Sequence, residues 1–275
     1  MFEILFKETL APQVKLLKIK AMEISKKAKP GQFVIIRVSE RCERIPLTIN
    51  DFDPNNGTIT IVVQEVGLST KLLGQMNAGE KLRDVAGPLG KPSEIDKFGN
   101  VVCVAGGLGT AVIYPIARSL YNVGNCVITI IGAKSKDYLI LEKEMRKFSH
   151  NLYITTDDGS KGLHGFVTDA LKEVLHDIKV DRVIAIGPAI MMKNVTGLTK
   201  TYKIDTIVSL NPVMIDGTGM CGGCRVNVDG KTKFTCVDGP EFNGHKVDFD
   251  LLISRLSQYR DEEKTALYEC KLGDY

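Results

Sequence analysis

The chain has 275 residues, 44% hydrophobic and 25% charged, which is an ordinary composition for a globular protein and long enough for two or three small domains. Its 36 basic and 33 acidic residues leave a net charge of +3, which argues against nucleic acid or an acidic membrane as partner. It has no apolar run of membrane-spanning length and no secretory signal, and four of its seven cysteines are scattered, so we expect a cytoplasmic protein.

Residues 1–98 are predicted to be rich in β-structure. Alternating or β-branched runs are separated by turn residues such as Pro30-Gly31 and the segment 54–57. The predicted strands cover residues 14–24, 32–38, 44–49, 58–66 and 81–85, with one short helix at 69–76. Many short strands with few helices indicate a small antiparallel barrel.

The pattern changes near residue 99, where short apolar strands begin to alternate with helices. The predicted strands are 101–105, 126–133, 152–156 and 182–186, and the predicted helices follow them up to residues 122, 148, 176 and 200. Such alternation predicts a parallel α/β sheet, which we assign to residues 99–206.

Residues 207–250 hold the three remaining cysteines, Cys221, Cys224 and Cys236. Asp229-Gly230 lies between two alternating runs and predicts a β-hairpin, which would return Cys236 towards the other two cysteines. Residues 251–275 are predicted to form a helix and a polar tail.

The cysteine spacing indicates a metal site. With Asp216 included the pattern is Asp-x4-Cys-x2-Cys-x11-Cys, in which Asp216 occupies the place of the first cysteine of a plant-type 2Fe–2S loop. We interpret it as a 2Fe–2S site with one oxygen ligand. A structural zinc site and plain buried cysteines remain as alternatives.

Three loops of the predicted parallel sheet are candidate dinucleotide contacts. Gly106-Gly107-Leu108-Gly109-Thr110 lies between a strand and a helix, where a glycine-rich turn lets a diphosphate approach the helix start. Asp157-Asp158 and the segment from Gly187 to Met192 end two further strands. Each loop, taken alone, could also be an ordinary turn.

Two segments of the predicted barrel are candidate phosphate or flavin contacts, namely 44–48 and 67–70. Taken singly, they could also be an ordinary strand and a helix N-cap. The basic run Lys134-Ser135-Lys136 would tolerate a 2′-phosphate but equally fits a solvated surface, so it does not choose between NAD and NADP. The four histidines have no metal-ligand spacing, and no nucleophile–base pair is evident, so no catalytic side chain is predicted.

The order of these motifs resembles the ferredoxin–NADP reductase superfamily. Within it, the chain is similar to the electron-transfer subunits of dihydroorotate dehydrogenase B, and more so to the small (alpha) subunits of NADH-dependent reduced ferredoxin:NADP oxidoreductases. The resemblance runs from about residue 5 to 250 and is most specific at 211–224. It implies FAD in the barrel, NAD(H) or NADP(H) in the α/β domain and a 2Fe–2S cluster in a small C-terminal domain.

The resemblance also implies the residues of each site. The FAD contacts would be Arg44, Pro46, Leu47, Thr48, Val62, Val63, Gln64, Gly67, Ser69 and Thr70. The dinucleotide contacts would be Gly106, Gly107, Leu108, Gly109, Thr110, Asp157, Asp158, Gly187, Pro188, Ala189 and Met191. The cluster ligands would be Asp216, Cys221, Cys224 and Cys236.

The chain departs from its relatives at three places. Pro46 and Leu47 stand where many of them have tyrosine and serine, and Ile186 stands where many have cysteine. Asp216 replaces the first of the four cysteines found in the dihydroorotate family.

These features predict an electron-transfer subunit that passes electrons between NAD(P)H, FAD and a 2Fe–2S cluster. Its partner would be a larger flavin and iron–sulfur subunit, with ferredoxin engaged indirectly. A dihydroorotate dehydrogenase B electron-transfer subunit and a zinc-stapled, non-redox nucleotide-binding module are the alternatives.

Overall fold

The computed structural model describes residues 2–40 and 42–271, with all of their side chains except those of residues 260 and 267–271. The predicted polar tail after residue 271 and the side chain of Cys270 lie outside the described part. No helix within these ranges is long and apolar enough to cross a membrane.

The N-terminal part is a seven-stranded antiparallel sheet that curls into a nearly closed barrel. Its strands are β1 (Phe2–Ala11), β2 (Val14–Lys20), β3 (Phe33–Arg37), β4 (Arg44–Asp53), β5 (Thr58–Gln64), β6 (Lys81–Leu82) and β7 (Asp84–Leu89). They are ordered β6-β1-β2-β5-β4-β3-β7, with helices α1 (Met22–Ser25) and α2 (Leu68–Gln75) between strands. Alternate residues such as Leu17, Ile19 and Ile61 point inwards and form a fully buried core.

The second sheet is parallel, and helices cover both of its faces. Its parallel strands are β8 (Asn100–Gly106), β9 (Cys126–Ala133), β10 (Asn151–Thr156), β11 (Leu163–His164), β12 (Arg182–Ile186) and β13 (Asp205–Ser209). The helices are α3 (Gly109–Asn122), α4 (Glu142–Lys147), α5 (Val167–Asp177) and α6 (Ala189–Thr201). Val102 and Val104 of β8 pack under α5 and α6, while Val101 and Cys103 pack under α3, so the strand is buried on both faces.

The C-terminal part is built onto both sheets. Its elements are β14 (Arg225–Val228), β15 (Lys231–Phe234), α7 (Thr235–Asp238), β16 (Glu241–Asn243), α8 (Phe249–Leu256) and α9 (Arg260–Lys271). The predicted hairpin is present as β14 and β15, with Asp229 and Gly230 both at positive φ (58° and 71°), as its tight turn requires. β16 pairs antiparallel with β13 and completes the order β11-β10-β9-β8-β12-β13-β16.

Several details differ from the sequence-based expectations, among them the strands β11, β13 and β16 of the second sheet, which were not predicted. β1 was not predicted, because two register shifts against β2 interrupt the alternation that marks a strand. The strand predicted at 14–24 ends at Lys20, since residues 22–25 form α1. β13 also crosses the predicted boundary between residues 206 and 207. The proposed domain boundaries stay a prediction.

Candidate functional site

A cavity of about 970 Å³ lies between the barrel and the parallel sheet. It sits where the strand order reverses, because β9 is on one side of β8 and β12 on the other. In open α/β sheets, ligands bind in the crevice at this switch point, beyond the carboxyl ends of the strands. The cavity therefore has the position expected of a dinucleotide site, with the barrel as its opposite wall.

The glycine-rich turn after β8 forms the floor of this cavity. Gly107 has φ +54° and donates its amide to Gly132 O (2.8 Å). A Cβ on Gly109 would lie 2.1 Å from Ile186 O, so only glycine allows the start of α3 to pack against the end of β12. At the start of α3, Thr110 N and Ala111 N donate to Gly107 O and Leu108 O (3.2 and 2.9 Å), and the positive end of the helix dipole faces the cavity.

Most of the predicted dinucleotide contacts line the cavity, but three do not. Those on the cavity are Gly106, Gly107, Leu108, Gly109, Asp157, Gly187, Pro188 and Met191. Thr110 and Ala189 are instead buried in the protein. Asp158 also lies off the cavity. Its carboxylate accepts hydrogen bonds from Ser160 Oγ and N (2.6 and 3.0 Å), which lower its pKa.

The barrel wall contains most of the predicted FAD contacts. Those lining the cavity are Pro46, Leu47, Thr48, Val62, Val63, Gln64 and Thr70. The Thr70 hydroxyl is engaged locally, because it accepts from the amides of Val66 and Gly67 (3.0 and 2.9 Å) at the start of α2. Gly67 and Ser69 do not line the cavity, and Ser69 is buried.

Arg44 lies in a different place from the other predicted FAD contacts. It lines a separate cavity of about 160 Å³, together with Arg37, Asp84 and Asp216. Arg44 therefore shares its surroundings with the predicted cluster ligand Asp216 rather than with Thr48.

Sequence reasoning missed several residues of the large cavity, including Asn50, Tyr138 and Phe166. Asn50 is buried and donates from Nδ2 to Ala111 O (2.7 Å), which ties the barrel to α3. Phe166 occupies the N-cap of α5, where a small polar residue is usual, and an aromatic residue just before a predicted helix is a signal that could have found it.

The cysteine loop brings two of the four predicted ligands into contact. Cys224 and Cys236 are buried, and their Sγ atoms are 3.1 Å apart. Cys221 is exposed and accepts from Gly223 N at 3.4 Å, and Cys224 Sγ accepts from Cys236 N at 3.5 Å. Among the side chains that the structure describes, no three of His, Cys, Asp or Glu are grouped closely enough to hold a metal ion.

Asp216 is oriented by the loop that follows it. Its carboxylate accepts from Thr218 N (2.8 Å) and Cys221 N (2.7 Å), and these hydrogen bonds lower its pKa. Asp216 is thus ionised at neutral pH and joined to the backbone of Cys221. The structure does not bring it into contact with the thiol pair, so its role as a ligand stays a prediction.

The loop is packed directly onto the barrel. Phe33 and Ile35 of β3 form one apolar cluster with Met214, Cys224 and Cys236. Gly217 (φ +75°) is held close by the barrel, because a Cβ there would lie 2.8 Å from Ile35 Cγ1. Arg255 of α8 supports the other side of the loop, donating from Nη2 to Gly223 O (3.1 Å).

The donor set fits an iron–sulfur cluster. Two buried thiols in contact, a third in the same loop, and amide N–H groups donating to sulfur are the features that such clusters use. Burial raises the pKa of the Cys236 thiol to about 12, so this thiol carries its proton at neutral pH. Binding of iron must therefore displace that proton.

The fold and the two sites define the class of protein. A barrel followed by a parallel sheet is also seen in phthalate dioxygenase reductase, a structure described as modular for electron transfer from pyridine nucleotides to [2Fe–2S]. That protein is 16% identical with a TM-score of 0.59, covering 82% of this chain and 85% of its own. The chain therefore has the ferredoxin reductase-like fold.

The comparisons with known proteins are more specific. Residues 211–248 match the family model of the iron–sulfur cluster binding domain of dihydroorotate dehydrogenase B. The Thermotoga maritima dihydroorotate dehydrogenase B (NAD(+)) electron transfer subunit homolog is 49% identical over 262 residues, which are 95% of this chain and 93% of that protein. A chain from the structure of an NADH-dependent reduced ferredoxin-NADP oxidoreductase is 48% identical with a TM-score of 0.94, covering 99% of this chain and 98% of that one.

A further relative is the probable dihydroorotate dehydrogenase B electron transfer subunit of Methanocaldococcus jannaschii, 37% identical over 87% of this chain and 88% of that protein. The chain belongs to the family of dihydroorotate dehydrogenase B electron-transfer subunits and their homologues. The predicted fold class is thereby confirmed, as is the predicted class of function, an electron-transfer subunit with FAD, iron–sulfur and NAD(H). The residue-level assignments stay predictions.

Proposed function

We propose that the chain is the small subunit of an NADH-dependent reduced ferredoxin:NADP oxidoreductase of the electron-bifurcating type. The observation that carries this proposal is the agreement of the whole chain with a chain of such an enzyme, at a TM-score of 0.94 and 48% identity. When bound, FAD accepts a hydride as a pair of electrons and the 2Fe–2S cluster takes electrons singly. Protein side chains need not act as acid or base, and the role of this chain is to bind and orient.

Each part of the chain has a defined task in this proposal. The glycine turn at the start of α3 binds the dinucleotide diphosphate. Pro46 and Thr48 form the facing wall, where the flavin binds. Phe33 and Ile35 of the same barrel pack against the cysteine loop, so the flavin and cluster sites are held on one scaffold.

The partner subunit is proposed to dock around the cysteine loop. Val213, Ile215, Met220 and Val237 are apolar yet exposed there, Met220 by 89%. Exposed apolar side chains clustered around a site mark an interaction surface. We propose a larger flavin and iron–sulfur subunit as the occupant, with ferredoxin reached through it. The cytoplasmic location stays a prediction.

Anaerobic purification with its native partner tests the proposed function. We expect flavin and iron–sulfur absorption in the visible spectrum, and iron rather than zinc by metal analysis. Absence of both absorptions would refute the redox function, and zinc without iron would support the nucleotide-binding alternative. Recovery with a pyrimidine-pathway catalytic subunit, instead of a flavin and iron–sulfur subunit, would favour the dihydroorotate alternative.

Asp216 gives a sharper prediction within this function. We expect Asp216→Cys to retain a 2Fe–2S cluster with a changed midpoint potential, because the ligands and their hydrogen bonds set that potential. Electron paramagnetic resonance and redox titration measure both properties. Asp229→Asn, in the hairpin turn, is the control and should leave the potential unchanged. The ligand assignment would be wrong if Asp216→Ala left cluster content, spectrum and potential as in the wild type.

A further inference from the structure

Helix α3 carries a proline in its interior, which deprives one backbone carbonyl of its regular donor. Pro115 lies beyond the first turn of the helix and is buried. In an α-helix the amide of residue 115 would donate to the carbonyl of residue 111, but proline has no N–H and its ring crowds that carbonyl. Ala111 is itself buried, so its carbonyl oxygen must find a donor outside the regular helix pattern.

Asn50 of the barrel supplies that donor. Its Nδ2 donates to Ala111 O at 2.7 Å, and the residue is only 4% exposed. A buried carbonyl that loses its donor is costly, because it has given up its hydrogen bonds to water. Pro115 and Asn50 are therefore a complementary pair, in which the proline frees a carbonyl on one side of an interface and the asparagine binds it from the other.

This hydrogen bond lies on the wall of the large cavity, because Asn50 and Ala111 both line it. On β4, Asn50 follows Thr48 of the flavin wall by two residues. On α3, Ala111 follows Gly109 of the glycine turn by two residues. The bond therefore joins the two walls close to the places where flavin and dinucleotide are proposed to bind.

A second link between β4 and α3 lies beside the first. Arg118 Nη2 donates to Asp51 Oδ1 (2.7 Å), and its guanidinium also lies over the Tyr114 ring, 5.2 Å from the centroid. Two links to neighbouring residues of β4, at different turns of α3, resist rotation of the helix as well as its separation from the barrel. Val62 and Ala111 also share an apolar cluster at this interface, but apolar contacts are not directional.

We infer that Asn50 is a positioning residue for hydride transfer, which holds the dinucleotide turn at the correct distance and angle from the flavin wall. The hydride carries two electrons and one hydrogen from the nicotinamide to the flavin. The reacting atoms must lie about 3–3.5 Å apart, and a misplacement of about 1 Å can lower the rate roughly a hundredfold. Asn50 exerts this role through Ala111 O. The inference rests on the proposed function and adds a residue to it.

Asn50→Ala tests this role in the FAD- and cluster-loaded chain. We expect the rate constant of flavin reduction at saturating NADH to fall roughly ten- to a hundredfold. ADP-ribose, which carries the diphosphate but no nicotinamide, should bind with wild-type affinity by calorimetry, because the glycine turn is intact. The long-wavelength charge-transfer absorption of stacked nicotinamide and flavin rings should weaken, which reports their alignment independently of turnover.

Pro115→Ala separates positioning from stability. It restores an N–H four residues after Ala111, so it should raise the midpoint of urea unfolding more in the Asn50→Ala background than in the wild type. The link between β4 and α3 is still missing in the double variant, so its flavin reduction should stay slow. A purely structural role would restore stability and rate together. If Asn50→Ala alone does not fold, comparison of the double variant with Pro115→Ala gives the same test of the rate.

Asn125→Ala is the matched control on the same helix. Asn125 is also buried and donates from Nδ2 to Leu120 O (2.9 Å), but its other Nδ2 bond is to Asp96 O (2.8 Å) and not to the barrel. This variant should be less stable yet reduce its flavin at the wild-type rate.

Two results would overturn the inference and leave the proposed function standing. One is an unchanged rate of flavin reduction in Asn50→Ala, and the other is recovery of that rate in the double variant. A loss of ADP-ribose affinity as large as the loss of rate would also overturn it, because the glycine turn itself would then be damaged. A wild-type chain that NADH does not reduce would overturn the proposed function and the inference together.

Discussion

Cys224→Ser is expected to abolish the 2Fe–2S cluster while leaving FAD bound. Cys224 Sγ lies 3.1 Å from Cys236 Sγ in a buried site, so its replacement removes one half of the thiol pair. A serine hydroxyl is a harder ligand and holds iron less well than a thiolate. Iron and acid-labile sulfide should fall to background, together with the cluster's paramagnetic resonance signal, at an unchanged ratio of FAD to protein.

Cys126→Ser is the control for this loss. Cys126 begins β9 and is only partly buried, far along the chain from the cysteine loop. This variant should keep full iron, sulfide and FAD content. Retention of the cluster by Cys224→Ser would remove Cys224 from the ligand set.

Gly109→Ala is expected to destabilise the protein and to impair dinucleotide binding. A Cβ at this position would lie 2.1 Å from Ile186 O, a backbone atom that cannot turn aside as a side chain can. The start of α3 would have to move away from β12, at a cost of roughly 1–3 kcal/mol or more. Urea unfolding measures this loss, and NADH titration of the folded protein measures the loss of binding.

Gly197→Ala is the matched control in α6. Among the described residues, no atom outside the adjoining turns of its own helix lies within 4 Å of the position that a Cβ would take there, so the added methyl group meets no steric obstacle. Helix propensity then favours alanine, and we expect unfolding at equal or higher urea concentration than the wild type. Equal stability of Gly109→Ala and the wild type would show that the contact with Ile186 is not limiting.

Local sequence signals predicted the parts of the fold that local geometry decides. Asp229-Gly230 predicted the hairpin, because only a few residue types adopt positive φ at both turn positions. The glycines after β8 predicted a strand-to-helix turn, because glycine adopts the positive φ that such a tight turn requires. β1 was missed, since its register depends on pairing with β2 and is interrupted by two irregularities.

The candidate site was predicted less completely, because a cavity wall combines residues that are distant in sequence. Strand alternation places Arg44 and Thr48 on one face of β4, but they are separated by about 13 Å along the strand. This separation puts Arg44 near Asp216 instead of in the large cavity. Phe166 and Tyr138 follow different strands, and only the folded sheet brings them to the same cavity.

The apolar cluster that joins β3 to the cysteine loop makes the buried state of the loop depend on the barrel. Phe33 and Ile35 supply part of the surface that buries Cys224 and Cys236, so a fragment limited to residues 211–248 would expose that surface to water. The segment is therefore not a portable unit that could be transplanted to another scaffold. For an electron carrier, the same cluster packs the loop against the barrel, so we expect the separation of the flavin and cluster sites to be set as the chain folds.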